Sequence, residues 1–131
     1  MSPAELLHDI RTTRIGLAPS AIHGIGVFAL TDIPEGTRDL FSPPRPWVPV
    51  PEAEVDALPP HARRLVQTYC LWDAGTYYLP PAGFRVLDVV MYLNHSDQPN
   101  LRPVDGGDYY VTTRAVTAGE ELTVDYGTLE V

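Results

Sequence analysis

The sequence predicts a single, mostly β domain with one short helix, and three features support this. The chain has 131 residues, close to the usual size of one domain. Several short segments alternate apolar and polar residues, the pattern of half-buried strands, and glycine or proline turns separate them. One stretch in the middle of the chain has helical spacing instead.

The first β elements lie in RIGLAPSAIHGIGVFALTDIPEGT, which is typical of two strands around glycine turns. Successive side chains of a strand point to opposite faces, so the residues of the second strand would divide between two faces. One face would present Ile25, Val27 and Ala29, and the other Gly24, Gly26 and Phe28.

The next stretch holds seven prolines between Pro43 and Pro60. Proline lacks the N–H that a central strand needs and clashes inside a helix, so we expect an irregular loop. HARRLVQTYCLW (61–72) follows two prolines and has helical spacing, which predicts the short helix. TYYL (76–79) suggests a strand, whereas VLDVVMYL (86–93) fits a buried strand or a short helix.

The C-terminal part is β again. An Asp-Gly-Gly-Asp turn at 105–108 separates NLRPV from YYVTTRAV, which predicts a hairpin. TAGEELTVDYG then places a turn at Ala118-Gly119 and a last strand over Glu121 to Asp125. Adjacent Glu120 and Glu121 would point to opposite faces of that strand and would not form a catalytic pair.

Composition narrows the class of protein. The net charge of −8 argues against nucleic acid as a direct ligand and favours basic partners. No apolar run approaches the roughly 20 residues that span a bilayer, so we expect no membrane insertion. The N-terminus lacks the pattern of a secretory signal, which favours the cytoplasm.

The single cysteine, Cys70, cannot form an internal disulfide and is too few for a zinc cage, and the histidines have no metal-site spacing. We therefore expect no metal. Cys70 lies among apolar residues and reads as a small buried hydrophobe rather than a nucleophile.

Three segments, in this order, resemble the SET-domain family of protein-lysine methyltransferases. They are HGIGVFALTDIPEGT (23–37), MYLNHSDQPNL (91–101) and AGEELTVDYG (118–127). The resemblance implies a SET-domain β-clip of small curved sheets, with one or two short helices and the C-terminal segment threaded as a pseudoknot. It also implies one domain over 1–131, with 38–85 as the family's variable insert.

The resemblance implies a methyltransferase that uses S-adenosylmethionine and acts on lysine side chains of a basic protein. The alternative is a SET-like module that binds cofactor or a partner with weak or no turnover. In the family, the strand after the glycine turn usually ends in an aromatic-x-Gly step, and LFSPPRP replaces that step here, which leaves the acceptor-channel wall open to question. The cysteine-rich segment that closes the channel in many members is absent after Gly127. A second subunit, the proline-rich insert or the substrate could supply that wall, and a homodimer is the preferred expectation.

By resemblance, backbone from Ile25, Gly26 and Val27 would face the cofactor. A hairpin turn is the alternative reading of these glycines. The amide of Asn94 and the imidazole of His95 lie side by side and are able to hydrogen-bond an adenine or an amino acid carboxylate. A local turn is the alternative there.

Tyr126 is the expected catalytic residue and also a cofactor contact by resemblance. Its hydroxyl would position the acceptor amine and the sulfonium methyl at a narrow, dry channel, without acting as a base. The alternative is an ordinary strand tyrosine. Aromatic rings attract amines, so we expect the channel wall to use some of a further set, the rest being plain core. That set is Tyr77, Tyr78, Phe84 and Tyr92.

Overall fold

The computed structural model describes residues 1–42 and 46–129. The helices are α1 (Pro3–Thr12), α2 (Glu52–Asp56) and α3 (Pro60–Tyr69). The strands are β1 (Ile15–Pro19), β2 (Ile25–Ala29), β3 (Val48–Pro51), β4 (Leu71–Asp73), β5 (Thr76–Leu79), β6 (Asn94–His95), β7 (Leu101–Val104), β8 (Tyr109–Thr112) and β9 (Glu121–Val124). Short 3₁₀ helices span Val89–Tyr92, Asp105–Gly107 and Tyr126–Thr128.

A four-stranded sheet in the order β1-β2-β9-β6 brings the ends of the chain together. β9 pairs antiparallel with β2 and parallel with β6, so the last strand lies between the first hairpin and the Asn94–His95 segment. Asn100, 2% exposed, reinforces this arrangement. Its amide nitrogen donates to the Glu121 carbonyl at 2.9 Å, and its Oδ1 accepts from the Thr123 N–H at 2.8 Å.

The other strands form two smaller sheets. β3, β5 and β4 make a three-stranded antiparallel sheet with β5 in the centre, and β7 pairs with β8 as the hairpin around the acidic turn. β3 lies at the edge of this sheet. Proline lacks the N–H that a central strand needs, so an edge strand is where Pro49 and Pro51 are tolerated.

Two hydrophobic cores stabilise the fold. The first lies under the four-stranded sheet, where Val27, Leu122 and Val124 are completely buried. The second lies between the three-stranded sheet and helices α2 and α3, and it centres on Val55, Val66 and Tyr77. The stretch expected to be the variable insert (38–85, called the insert below) therefore has a small core of its own among its described residues.

The structure confirms the mostly β class and most of the sequence-based elements. The helix, the first hairpin, the β7–β8 hairpin and the last strand occur where expected. The segment at 86–93, left open by the sequence, contains a 3₁₀ helix. On β2, Val27 and Ala29 share a buried face as predicted, whereas Ile25 at the strand's start is 47% exposed.

The proline-rich stretch differs from the expected irregular loop. It contains the edge strand β3 and the short helix α2, while three of its residues, 43–45, lie outside the described part. The sequence reading also missed helix α1, which Ser2 caps by accepting from the Glu5 N–H at 3.1 Å. None of the helices among residues 1–42 and 46–129 is both long and apolar enough to cross a membrane.

Candidate functional site

The three segments that carry the family resemblance meet around β9. Val27 of β2 pairs with Leu122, and Asn94 of β6 pairs with Thr123 on the other side of the strand. His95 pairs with Val124, which places it next to the start of the Tyr126 segment. The glycine turn, the Asn94–His95 strand and Tyr126 thus belong to one site.

Asn94 is buried and forms the centre of a polar cluster with Ser20 and Glu121, which we call the Ser20–Asn94–Glu121 cluster. Ser20 Oγ donates to Glu121 Oε1 at 2.6 Å, and Asn94 Nδ2 donates to Glu121 Oε2 at 2.8 Å. Asn94 Nδ2 also lies 3.0 Å from the His23 carbonyl oxygen. A buried amide with these partners is held in one orientation.

The cluster determines which end of the Asn94 amide remains available. Turning the amide over would bring its oxygen against the oxygens of Glu121 and His23, so the nitrogen must face inward. Among the described residues, no fully enclosed side-chain polar atom lacks a hydrogen bond. Asn94 Oδ1 accepts no hydrogen bond from residues 1–42 and 46–129, so it is accessible as an acceptor for a bound donor.

Gly26 is required by this cluster. A Cβ at this position would lie 2.3 Å from Glu121 Oε2 and 3.1 Å from Asn94 Nδ2. Only a residue without a side chain allows the carboxylate to approach the backbone this closely. Gly24 serves the turn itself, since its φ of +49° lies in the left-handed region.

The two glutamates of the last strand have different roles. Glu121 is part of the polar cluster, whereas Glu120 accepts a hydrogen bond from Arg114 at 3.0 Å and another from the Thr117 N–H at 3.1 Å. The hydrogen bond from Arg114 lowers the pKa of Glu120. They do not form a catalytic pair, as the alternation along the strand predicts.

His95 ties the site to the Tyr126 segment. Its Nδ1 accepts from the Tyr126 N–H at 3.0 Å, and its Nε2 lies 2.9 Å from Asp97 Oδ1. A neutral ring that accepts at Nδ1 carries its proton on Nε2, which fits donation to Asp97. The rings of His95 and Tyr126 are 5.3 Å apart.

Tyr126 donates its hydroxyl hydrogen to the Leu93 carbonyl. Burial, and then the negative charge of Glu121, raise the pKa of Tyr126 above its ordinary value. The phenol therefore stays protonated, with its hydrogen engaged and its oxygen available to accept.

A cavity of about 1080 Å³ lies next to Tyr126. Residues around the first core line one part of it, and residues of the insert line another. Leu93, Tyr110 and Tyr126 line it from the region of the first core. The insert contributes further aromatic and apolar groups: Trp47, Leu71, Trp72 and Tyr78.

The four aromatic residues predicted for the channel lie in different places. Tyr78 lines the cavity. Tyr77 and Phe84 belong to the second core, and Tyr92 packs edge-on against Tyr69 with ring centroids 5.8 Å apart. These last three do not line the cavity, because their rings pack against other side chains.

The sequence reading did not assign functional roles to Ser20, Tyr110 or Glu121. Ser20 and Glu121 lie 101 positions apart and meet only through the folded sheet. Tyr110 carried one local signal, as a polar-tipped aromatic on the buried face of a hairpin strand. Among the described residues, no group of three His, Cys or acidic side chains is arranged to hold a metal ion.

Solved structures share this fold at low sequence identity. A candidate histone methyltransferase of Plasmodium falciparum superposes with a TM-score of 0.55 at 20% identity, covering 88% of this chain and 95% of that one. A humanized mutant of the Chaetomium thermophilum Polycomb Repressive Complex 2, bound to an inhibitor, gives a TM-score of 0.57 at 19% identity. There the match covers 97% of this chain and 18% of the other.

Sequence comparison identifies the family. No curated protein matches the sequence. The family model of the SET domain, in contrast, matches residues 24–127, which include the glycine turn, the Asn94–His95 strand and Tyr126. With the fold and the family model in agreement, the chain belongs to the SET-domain family.

Proposed function

We propose that this chain is an S-adenosylmethionine-dependent methyltransferase that acts on lysine side chains of proteins. The observation that carries the proposal is the placement of Tyr126. Its N–H bonds to His95, its hydroxyl bonds to Leu93, and its ring lines the cavity. Tyr126 thus contacts the proposed cofactor-binding segments and also borders the cavity proposed for the acceptor side chain.

The cofactor would be held by the backbone of Ile25, Gly26 and Val27 together with Asn94 and His95. The accessible Oδ1 of Asn94 fits the ammonium group at the amino acid end of S-adenosylmethionine, since an amide oxygen accepts from such a donor. When bound, the cofactor supplies an electrophilic methyl group on a positively charged sulfur. Ser20 and Glu121 keep the Asn94 amide turned for this contact.

On the acceptor side, the cavity would receive the lysine side chain. A lysine amine has an ordinary pKa of about 10.4, and only its neutral form has the lone pair that attacks a methyl carbon. Burial beside Leu93 and Tyr126 would disfavour the charged form and so lower that pKa, whereas the carboxylates elsewhere in the same cavity would act in the opposite direction. The bound cofactor would give its methyl group to the amine and keep a neutral sulfur, and the proton on the methylated amine would pass to water.

Tyr126 would position the amine rather than deprotonate it. Its raised pKa keeps the phenol protonated, and the bond to the Leu93 carbonyl fixes the direction of its oxygen. The oxygen then accepts a hydrogen bond from the amine and orients the lone pair toward the methyl group.

The proposal extends to partners and compartment. The net charge of −8 favours a basic protein as substrate. Trp47, Leu71, Trp72 and Tyr78 give the cavity a wall from the insert, and a homodimer would complete the closure of the channel. We place the enzyme in the cytoplasm and expect no direct binding to nucleic acid or membrane.

The test is transfer of labelled methyl from S-adenosylmethionine to proteins of the source cell's lysate, with Tyr126→Phe as the variant. Phenylalanine keeps the ring and the backbone bond to His95 and removes only the hydroxyl. We expect labelled lysine with the wild type and a loss of at least about tenfold with the variant. Isothermal titration should show cofactor affinity changed by less than about threefold.

Two outcomes would contradict the proposal in different ways. Cofactor binding without transfer to any protein would identify a binding module. Equal transfer by wild type and Tyr126→Phe would remove Tyr126 from the chemistry. Tyr109→Phe serves as the matched control, because that hydroxyl contacts Arg38 outside the proposed site.

A further inference from the structure

Tyr110 is a buried residue to which the proposed reaction gives no role. It is only 7% exposed, and it lines the cavity beside Tyr126. Its ring packs edge-on against Phe41 with centroids 5.5 Å apart. Within the described part of the chain, the Tyr110 hydroxyl makes no hydrogen bond. Every fully enclosed polar side-chain atom in that part does make one, so the Tyr110 hydroxyl is not fully enclosed. The hydroxyl therefore reaches accessible space, which the cavity provides.

The surroundings of this hydroxyl show where in the cavity it lies. A Cβ built on Gly107 would be 3.5 Å from Tyr110 Oη and 3.3 Å from a methyl carbon of Leu129. The hydroxyl thus lies against the turn that contains Gly107. Burial raises the pKa of Tyr110 to about 12, and the neighbouring Tyr126 adds to the effect, so the phenol is neutral.

The turn beside Tyr110 is acidic. Asp105 and Asp108 line the same cavity, as does Asp88. Among the described lining residues, every charged side chain is a carboxylate. Asp105 and Asp108 are exposed and Asp88 is half-buried, so these carboxylates lie at the open side of the cavity, where a side chain of a bound protein reaches them. A positive group is the natural counterpart of such a surface.

We infer that Tyr110 and the carboxylates of Asp105 and Asp108 form a subsite for a second cationic side chain of the acceptor protein, a lysine or arginine near the methylated lysine. The inference rests on the proposed function and deepens it, because it names a sequence feature of the substrate. The hydroxyl oxygen accepts one N–H of the cation, and the carboxylates accept others.

This arrangement has a consequence for substrate choice. Among the described residues the Tyr110 hydroxyl has no hydrogen-bond partner, so a bound segment that displaces water from it leaves it unsatisfied unless the segment brings a donor to this point. Tyr110 is a specificity-determining residue in this account, whereas Tyr126 positions the reacting amine.

The test uses fluorescein-labelled peptides with one lysine and one arginine whose spacing is changed stepwise, in a neutral Gly-Ser-Ala background. The matched peptides carry citrulline, which has the shape of arginine without its charge. Fluorescence anisotropy in the presence of S-adenosylhomocysteine measures binding to the full chain without turnover. We expect arginine to bind about tenfold more tightly than citrulline at one spacing.

Variants of the protein then test whether the preference for arginine over citrulline comes from the proposed subsite. Tyr110→Phe keeps the packing against Phe41, and the double variant Asp105→Asn with Asp108→Asn keeps the shape of the turn. Both should reduce the arginine-to-citrulline ratio toward one. Tyr109→Phe and Glu54→Gln are the controls, since they remove a neighbouring hydroxyl and an exposed charge on α2 and should leave the ratio unchanged.

The outcomes separate this inference from the proposed function. Equal affinity for arginine and citrulline at every spacing, or a preference that survives both variants, overturns the subsite. A preference that the variants abolish supports it, even if no peptide is methylated. The lysate test decides the proposed methyl transfer separately, so its failure would leave the cation subsite standing.

Discussion

Gly26 shows how one residue type controls the geometry of the site. The missing side chain leaves room for the Glu121 carboxylate, which in turn orients the Asn94 amide. A G-x-G pattern alone suggests a turn or a cofactor contact. The structure adds a further reason for the second glycine, namely the close approach of a carboxylate from a strand 95 positions away.

We expect Gly26→Ala to weaken S-adenosylmethionine binding by about tenfold, because the new methyl group displaces the Glu121 carboxylate and frees the Asn94 amide to turn. Isothermal titration measures this. Gly16→Ala is the matched control on β1, where the atoms nearest to the new methyl belong to the exposed, movable Leu30 side chain. Equal losses in both variants would show that strand glycines in general, rather than the polar cluster, control affinity.

The cluster itself makes a second prediction. Ser20→Ala removes the hydrogen bond to Glu121 Oε1 and leaves Asn94 with its other acceptors. We expect cofactor affinity to fall by about threefold to tenfold, and Ser20→Thr to restore most of it. Titration of the three proteins decides the point. A uniform loss in both variants would indicate that the position tolerates no change in shape.

Cys70 gives a prediction about pH. Burial raises the thiol pKa from 9.0 to about 11, so at pH 8 the folded protein should react with a disulfide reagent about a hundredfold more slowly than the unfolded chain. The thiol pKa is higher in the folded protein than in the unfolded chain. The contribution of the protonated thiol to the free energy of unfolding is therefore complete below about pH 9, and it is lost as the pH rises through about 11. Reaction at equal rates would mean that the thiol is exposed.

At the scale of elements, the sequence predicted those strands whose alternation is local. The first hairpin, the acidic hairpin and β9 follow from their own patterns. β3 could not be predicted, because its two prolines argue against a strand until the edge position is known. The contacts among Ser20, Asn94 and Glu121 likewise depend on which strands become neighbours, which periodicity does not determine.

The insert carries its own core, so a cavity there should act locally. Val66 of α3 is 3% exposed, and we expect Val66→Ala to cost about 1–3 kcal/mol of the insert's stability. Amide hydrogen exchange should show lost protection in β5 and little change in β9. Leu65→Ala, on the exposed side of the same helix, is the control. Equal loss in both strands would mean that the two cores unfold as one unit.

At the scale of the whole molecule, charge should govern encounters with substrate. The net charge of −8 attracts basic proteins over a distance that salt shortens to about 8 Å at physiological ionic strength. We expect the association rate with a basic protein to fall by about tenfold between low and high salt. Stopped-flow fluorescence measures it. A rate independent of salt would show that the overall field plays no part.

The two cores meet at the cavity, and this has a consequence for how such a domain changes over evolution. The side chains of the proposed cofactor site lie on the four-stranded sheet over the first core, whereas part of the cavity wall comes from the insert, which has the second core. Selection is therefore able to reshape the insert for a new acceptor with little disturbance to the proposed cofactor site. The same division suggests an engineering route, in which the insert is exchanged between relatives as a cassette while the two ends of the chain are kept.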